Sequence, residues 1–380
     1  MEKLLIIGAG EMQVPVIKKA KELGYITVVT DFSENAPGFK YADHKCIVST
    51  YDFAGNYKIA KKYNVNGILT TSDYPVNTVA YICNKLNFIG LSEVSAKICT
   101  DKYLQRKTLL ENSIEVPKFI KFNGNEFDVK SIKEFNFPLI IKPLNSSGSR
   151  GVIKINHTDD IKNAIKESLK YTSDKLLLIE EFISGKEYSV EILVQNKEIH
   201  IIAITQKELL KSTYSFVETR HIIPAQISDN IKERIINYSK SIIKTIGLDN
   251  SAAHLELKIT NKGEPILIEI GARLGGDYIT SDLIPLAKGI DMLKNVINIS
   301  LGLKIEVNEC INKFAGVQFI TSENYYSSLE LIETSTNLVK KEIKEFKKTT
   351  TTNSIERLGY YIASDDSLKK LLNSLNYEKK

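Results

Sequence analysis

Apolar and polar positions alternate differently in successive stretches of this chain. Up to about residue 95, the short apolar runs KLLIIGAG, ITVVTD, KCIVST and GILTTSD are separated by helical periodicity over 13–23 and 54–63. Strand–helix alternation of this kind predicts a parallel, doubly wound α/β sheet. Between about 115 and 183 the pattern predicts strand 137–142, a Gly/Ser loop, strand 152–156, helix 159–171 and strand 175–182. Longer strands follow at 187–195 and 200–205, then a helix over 229–246 and a last helix over 289–301. The stretch 340–353, rich in Lys, Glu and Thr, reads as a solvated surface hairpin.

The segment 251–276, SAAHLELKITNKGEPILIEIGARLGG, predicts a β-hairpin. Two alternating runs, 254–260 and 265–271, flank a four-residue turn at 261–264. Pairing Thr260 with Pro265 sets Glu256 opposite Glu269, with Cβ atoms roughly 5 Å apart. Two carboxylates so placed repel unless a cation lies between them, and hard oxygen donors suit Mg²⁺ or Mn²⁺ completed by phosphates and water. Arg273 brings a guanidinium to the same place, which outlines a phosphoryl-transfer site.

Composition narrows the field only a little. The chain has 380 residues, 43% hydrophobic and 26% charged, enough for several lobes each with its own core. Its net charge of +5 is spread over abundant lysine, with only six arginines, and no aromatic–basic stripe points to nucleic acid. Arg150, Arg220 and Arg273 all fall in motif-like segments. The four cysteines have no metal-finger spacing and read as buried free thiols. Leu4–Ile7 is too short for a secretion signal, and no run approaches the ~20 apolar residues that span a bilayer. A cytoplasmic protein with no membrane partner is expected.

Several loops carry candidate chemistry. Gly8-Ala9-Gly10 after the first strand, with Asp31 ending the second, has the outline of a dinucleotide fingerprint. The third glycine position, however, holds Gln13, so a tight turn in a Rossmann-like lobe is the better reading. In PLIIKPLNSSGSRGV (138–152), Gly148 and Gly151 free the backbone to present N–H groups, and Ser146, Ser147 and Ser149 add hydroxyls. Lys142 ends an apolar strand, where a buried ammonium needs an anionic partner. Lys102 opens a helix behind an N-cap at Thr100 or Asp101 and suits a phosphate. Glu187 and Glu191 share one strand face and are candidate ribose acceptors.

Taken in order, these motifs resemble the ATP-grasp superfamily over nearly the whole chain. The resemblance implies an ATP-grasp fold: a Rossmann-like lobe (1–98), a small α+β lid lobe (99–183), a larger antiparallel α+β lobe (184–304) and a C-terminal extension packed on it (305–380). It implies ATP and Mg²⁺ or Mn²⁺ as cofactors. Lys102 and Lys142 are then similar to the family's phosphate-contacting lysines, and 145–151 to its glycine-rich lid, with Ser146, Ser147, Gly148 and Gly151. Glu180, Glu181, Phe182 and Ile183 resemble the adenine hinge, with Glu187 as the ribose acid. Glu256 and Glu269 resemble the metal ligands; Arg273 and Lys142 are the implied catalytic groups. Gly271 stands where many relatives have a further metal-binding Asn.

The form EIGARLGGD is similar to that of the L-amino-acid ligases, which implies substrate contacts from Glu218, His221, Arg273 and Gly276. The expected activity is a carboxylate–amine ligase acting through an acyl-phosphate on small-molecule substrates, in a homodimer joined through the first lobe. The alternatives are a carboxylase-type enzyme activating bicarbonate, or a non-catalytic ATP-binding regulator.

Overall fold

The computed structural model describes residues 1–146, 148–210, 216–347, 351 and 353–375, the side chain of Ile355 aside. Three sheets organise them. The first contains β1 (Lys3–Ile7), β2 (Ile26–Asp31), β3 (His44–Ile47) and β4 (Gly67–Leu69), all parallel in the order β3-β2-β1-β4. In its first turn, the Asp31 carboxylate accepts from the Ala9 and Ser33 backbone N–H groups at 2.8 and 3.0 Å. The Gln13 side chain lies against Gly8 and Gly10. Asp31 is thus spent on clamping the loop.

The second sheet is antiparallel, from β5 (Phe119–Asn123), β6 (Leu139–Pro143), β7 (Ile153–Ile155) and β8 (Leu176–Glu181) in the order β5-β8-β6-β7. The third holds eight antiparallel strands: β9 (Lys186–Gln195), β10 (Glu198–Leu209), β11 (Glu218–Ile223), β12 (Ser251–Ile259), β13 (Pro265–Gly271), β14 (Phe314–Ile320), β15 (Leu338–Ile343) and β16 (Gly359–Asp365). Their order, β13-β12-β9-β10-β11-β14-β16-β15, makes the C-terminal strands a continuation of the same sheet. The expected surface hairpin over 340–353 is corrected in part. Lys340–Ile343 belong to β15, the exposed edge strand paired with β16; residues 348–350 and 352 lie outside the described residues. β5 and β11 were not anticipated. β5 offers only five residues of weak alternation around Lys121, and β11 opens on the polar run Glu218-Thr219-Arg220.

Apolar packing groups these sheets unequally. Leu4, Ile6 and Val29 of the first sheet share a buried cluster with Leu193, Ala252, Val296 and Ile297, and a second shared cluster joins Leu5 and Val28 to Val190 and Leu255. The small sheet has its own cluster, built from Leu139, Ile141, Ile155, Ile161, Ala164, Leu177 and Ile179.

One helix bridges these units. It spans Lys102–Glu111 and starts at Asp101, whose carboxylate accepts from the N–H groups of Tyr103 and Leu104. Its side chains close the open edge of β13, which would otherwise present unpaired backbone. Gln105 Nε2 donates to the Ile270 carbonyl at 3.0 Å, and its Oε1 accepts from the Ile270 N–H at 3.2 Å. Arg106, fully buried, donates from Nη2 to the Ile268 carbonyl at 2.6 Å and from Nε to Glu180 Oε2 on β8 at 3.0 Å.

Replacing Arg106 with alanine leaves Glu180 and the Ile268 carbonyl short of a buried donor. The loss should be about 3–5 kcal/mol, the scale for breaking a buried ion pair from one side; urea denaturation of the intact chain measures it, and a change within 0.5 kcal/mol of zero, the scale of a neutral surface substitution, would contradict it. The reading of all four cysteines as buried thiols is also corrected, since Cys310 is exposed and Cys46 half-buried. Burial pushes the Cys83 and Cys99 thiols up to about 12. Brief alkylation of the native protein at mildly alkaline pH should therefore modify Cys310, then Cys46, and spare Cys83 and Cys99 in peptide mass mapping.

Candidate active site

The hairpin brings Glu256 of β12 opposite Glu269 of β13, by a route different from the expected one. Pro265 pairs with Ile259, so the turn is one residue longer than the expected 261–264. A bulge in β13, where Leu267 to Glu269 face only Leu257 and Glu256 of β12, then restores the register. The residue skipped by the ladder is Ile268, whose carbonyl is the one Arg106 holds. A bulge that re-aims a side chain is common beside functional sites.

Both carboxylates open into a cleft of about 980 Å³ between the small and large sheets. Lys102, Lys142, Ser146, Gly148, Glu180, Glu181, Phe182, Ile183, Glu187, Glu218 and Arg273 also line it, with apolar wall from Ile140, Val152, Phe216 and Ile268. Four expected residues do not line it: Gly151, Glu191, His221 and Gly276. Gly151 packs behind against Pro143 and Tyr171. Ser147 lies outside the described residues.

All but one of the acids in the cleft are matched by a cation of the protein itself; Glu181 instead accepts from the Asn136 backbone N–H and side-chain amide at 2.8 and 3.1 Å. Lys142 finds its anionic partner in Glu180, which also bonds Arg106. Burial works against the Glu180 charge, but Arg106 and Lys142 together hold its carboxyl below the usual range. Lys102 Nζ reaches Glu269 at 2.9 Å and the Ser146 carbonyl at 2.6 Å. Lys207, a residue the sequence did not mark, sits 2.6, 3.2 and 3.3 Å from Glu256, Glu187 and Glu218. Burial opposes its charge, yet those three carboxylates keep its pKa well above the ordinary lysine value.

Glu191 requires a correction. It is fully buried and outside the cleft lining, so it cannot meet a ribose. Its Oε1 accepts from His254 Nδ1 at 2.6 Å, and the other ring nitrogen lies 3.3 Å from Glu256 Oε1. Burial disfavours the imidazolium, but Glu191 outweighs it and holds His254 up to about 9. A Cβ on Gly275 would approach Glu191 Oε2 to 2.6 Å and His254 Nδ1 to 2.7 Å, so the first glycine of Gly275-Gly276 makes room for this pair.

Arg273 is held by a residue of the first lobe. Its Nε and Nη2 donate to Asp73 Oδ1 and Oδ2 at 2.8 and 3.0 Å, a bidentate fork. The neighbouring Tyr74 hydroxyl accepts from Arg150 of the glycine-rich loop. Glu218 and His221 meet through Arg357, near the C-terminal end of the described chain. Arg357 donates to Glu218 Oε2 and Asp277 Oδ2, each at 2.8 Å, and stacks on Phe319. His221 is buried with Nε2 3.6 Å from Asp277, and its Nδ1 has no hydrogen-bond partner among the described residues. Asp73, Arg106, Lys207 and Arg357 gave no local signal. For Arg106 and Arg357 the scarcity of arginine, six in the chain, is the one clue.

A four-stranded parallel sheet, a small antiparallel sheet and a large antiparallel one surround a charged cleft in an α/β architecture. Residues 135–282 match the family model described as the ATP-grasp domain. It is 27% identical over 267 residues to alanine–anticapsin ligase of Bacillus subtilis (strain 168), an alignment covering 64% of this chain and 55% of that protein. It is 29% identical over 221 residues to D-alanine–D-alanine ligase of Pelagibacter ubique, covering 55% and 70%. The chain thus spans about half the length of the first of these relatives. Among solved structures, the L-amino acid ligase from Bacillus licheniformis superposes with a TM-score of 0.79 at 20% identity, covering 97% of this chain and 95% of that one. N5-carboxyaminoimidazole ribonucleotide synthetase from Thermotoga maritima gives 0.76 at 21%, covering 98% and 96%. The fold is ATP-grasp. No described helix is long and apolar enough to cross a membrane.

The donor set fits a hard divalent cation that shares its coordination with a nucleotide. No cluster of three or more metal-ligating side chains exists among the described residues. Glu256 and Glu269 are a facing pair of oxygen donors whose remaining positions suit phosphate and water. Lys207 holds one of them in place. Lys207→Met should cost roughly 3–5 kcal/mol by leaving Glu187, Glu218 and Glu256 without their shared cation. Added Mg²⁺ should recover part of the loss in thermal melts of this variant and leave the parent little changed; equal response in both would contradict the arrangement.

Proposed function

We propose that the chain is an ADP-forming, ATP-dependent carboxylate–amine ligase acting on an amino acid. The observation that carries this reading is the convergence of Lys102, Lys142, Glu256, Glu269 and Arg273 on one cleft with an apolar slot beside it. The curated relatives, alanine–anticapsin and D-alanine–D-alanine ligases, support it.

Phe182, Ile183, Ile140 and Val152 form the adenine slot, and Glu187 accepts from the ribose. Lys102, Lys142 and the backbone around Ser146 and Gly148 receive the phosphates. Glu256 and Glu269 hold Mg²⁺, which when bound neutralises phosphate charge. A carboxylate oxygen of the acid substrate attacks the γ-phosphorus, the bond to the ADP oxygen breaks, and an acyl-phosphate results. An amine nitrogen then attacks the acyl carbon, phosphate leaves, and the nitrogen's surplus proton passes to a base. Lys142 and Arg273 stabilise negative charge as it spreads over the transferring group. The glycine-rich loop over the cleft keeps water from the acyl-phosphate.

ADP release from Mg-ATP against a matrix of single and paired amino acids, with bicarbonate as a separate arm, tests this reading. A pair that yields ADP and a new condensation mass establishes it; a response to bicarbonate alone replaces it with carboxylation. Arg273→Ala should lower kcat by roughly 10²–10³, the scale for losing one donor to transition-state charge. Near-normal turnover in that variant would remove Arg273 from the chemistry.

A further inference from the structure

The bidentate Asp73–Arg273 pair stands at the divide between two clefts. Arg273 lines the one just described; Asp73 lines a neighbouring opening of about 1950 Å³, together with Tyr51, Tyr74 and Arg150. Lys102, Ser146 and Glu269 border both. The pair is accessible to a solute, with 18% of the Arg273 side chain and 28% of the Asp73 side chain exposed.

Two features show that the pair has been given room. A Cβ at position 271 would lie 2.8 Å from Asp73 Oδ1 and 3.4 Å from Arg273 Nε, so Gly271 is what lets Asp73 reach the guanidinium. Asp73 belongs to the turn after β4, far away in sequence, and its neighbour Tyr74 contacts Arg150 of the glycine-rich loop. One short turn of the first lobe thus touches both the arginine of the hairpin and the arginine of the loop.

A carboxylate on Arg273 occupies the place that an acid substrate needs. We propose that Asp73 and Arg273 together recognise a free α-amino acid, which inserts between them with its carboxylate on Arg273 and its α-ammonium on Asp73. This rests on the ligase reading and assigns the residue that selects the activated acid. Insertion exchanges one ion pair within the protein for two with the ligand, and no charge is left unpaired. A carboxylic acid without the amino group takes Arg273 but strands Asp73 beside another carboxylate. Discrimination against such acids comes from that unpaired, repelled group. Asp73 is in this account a specificity-determining residue, and Gly271 gives it space.

With six arginines in the chain, the Arg273 Nε–H resonance is assignable by Arg273→Lys. The protein loaded with Mg-ADP is titrated with each proteinogenic L-amino acid and with its deaminated acid, for example L-alanine against propionate. At least one amino acid should move the resonance, and its deaminated acid should bind roughly 10-fold more weakly, the scale of one charge-assisted hydrogen bond. Asp73→Asn should collapse that preference to about two-fold or less, well under the scale of such a bond. Gly271→Ala keeps both charges but presses on Asp73, and should shift the resonance with no ligand present. Failure of every amino acid to move the resonance overturns the proposal, as does an amino-acid preference that survives Asp73→Asn. ADP release separates the two readings. Condensation with an unmoved Arg273 resonance removes this pairing and leaves the ligase; a moved resonance with no ADP release from any pair removes the ligase reading alone.

Discussion

The guanidinium of Arg106 is the joint on which the cleft depends. It bonds Glu180 of the small sheet and the Ile268 carbonyl of the large one while fully buried. The carbonyl is available only because the hairpin bulges at that residue, and the same bulge aims Glu269 at Glu256. Glu180 in turn secures Lys142. A single side chain on a bridging helix therefore sets the distance between the two walls and the direction of the groups on them. The cost of burying so many charges is met by pairing each one, as burial in a low-dielectric interior requires.

Charge is close to balanced inside the cleft. Lys207 serves three carboxylates, Lys102 serves Glu269, and His254 is shared by Glu191 and Glu256. A polyphosphate entering such a site brings a large negative charge and needs cations released to it or carried with it. In the proposed function Lys102 and Lys142 would turn from carboxylate to phosphate, and Glu269 and Glu256 would keep their own oxygens for a divalent ion. The resting pairs thus preorganise the donors without committing them.

What could be read from the sequence was local, and what could not was long-range. The facing of Glu256 and Glu269 was legible from alternation and turn residues, although the turn proved longer and a bulge compensated for it. The loop around Gly148 and the lysines 102 and 142 were legible as residues out of keeping with their surroundings. Asp73, Arg106, Lys207 and Arg357 were not, because each acts on a partner far away in sequence and none stands in an unusual local pattern. Glu191 was misjudged for the same reason: its face of β9 is shared with Glu187, but Gly275 and His254 cover it. β5 is a short edge strand and β11 an interior one, and neither shows in the sequence because five or six residues, interrupted by Lys121 or opened by a polar run, carry little periodicity.

The small sheet keeps a hydrophobic cluster of its own, while the first and large sheets pool theirs. A further cluster around Ile222, Ile320 and Tyr361 lies on the large sheet alone, so the small sheet is one of the lesser packing bodies, and it carries the roof of the cleft. Such a body can lose and regain its order without unravelling the floor. Substitutions among its interior positions therefore reach the energetics of covering and uncovering the cleft while leaving the groups on the opposite wall where they are. Sequence drift in that small interior is a means of adjusting how readily the cleft is covered that the acidic hairpin, tied into the larger body, does not have.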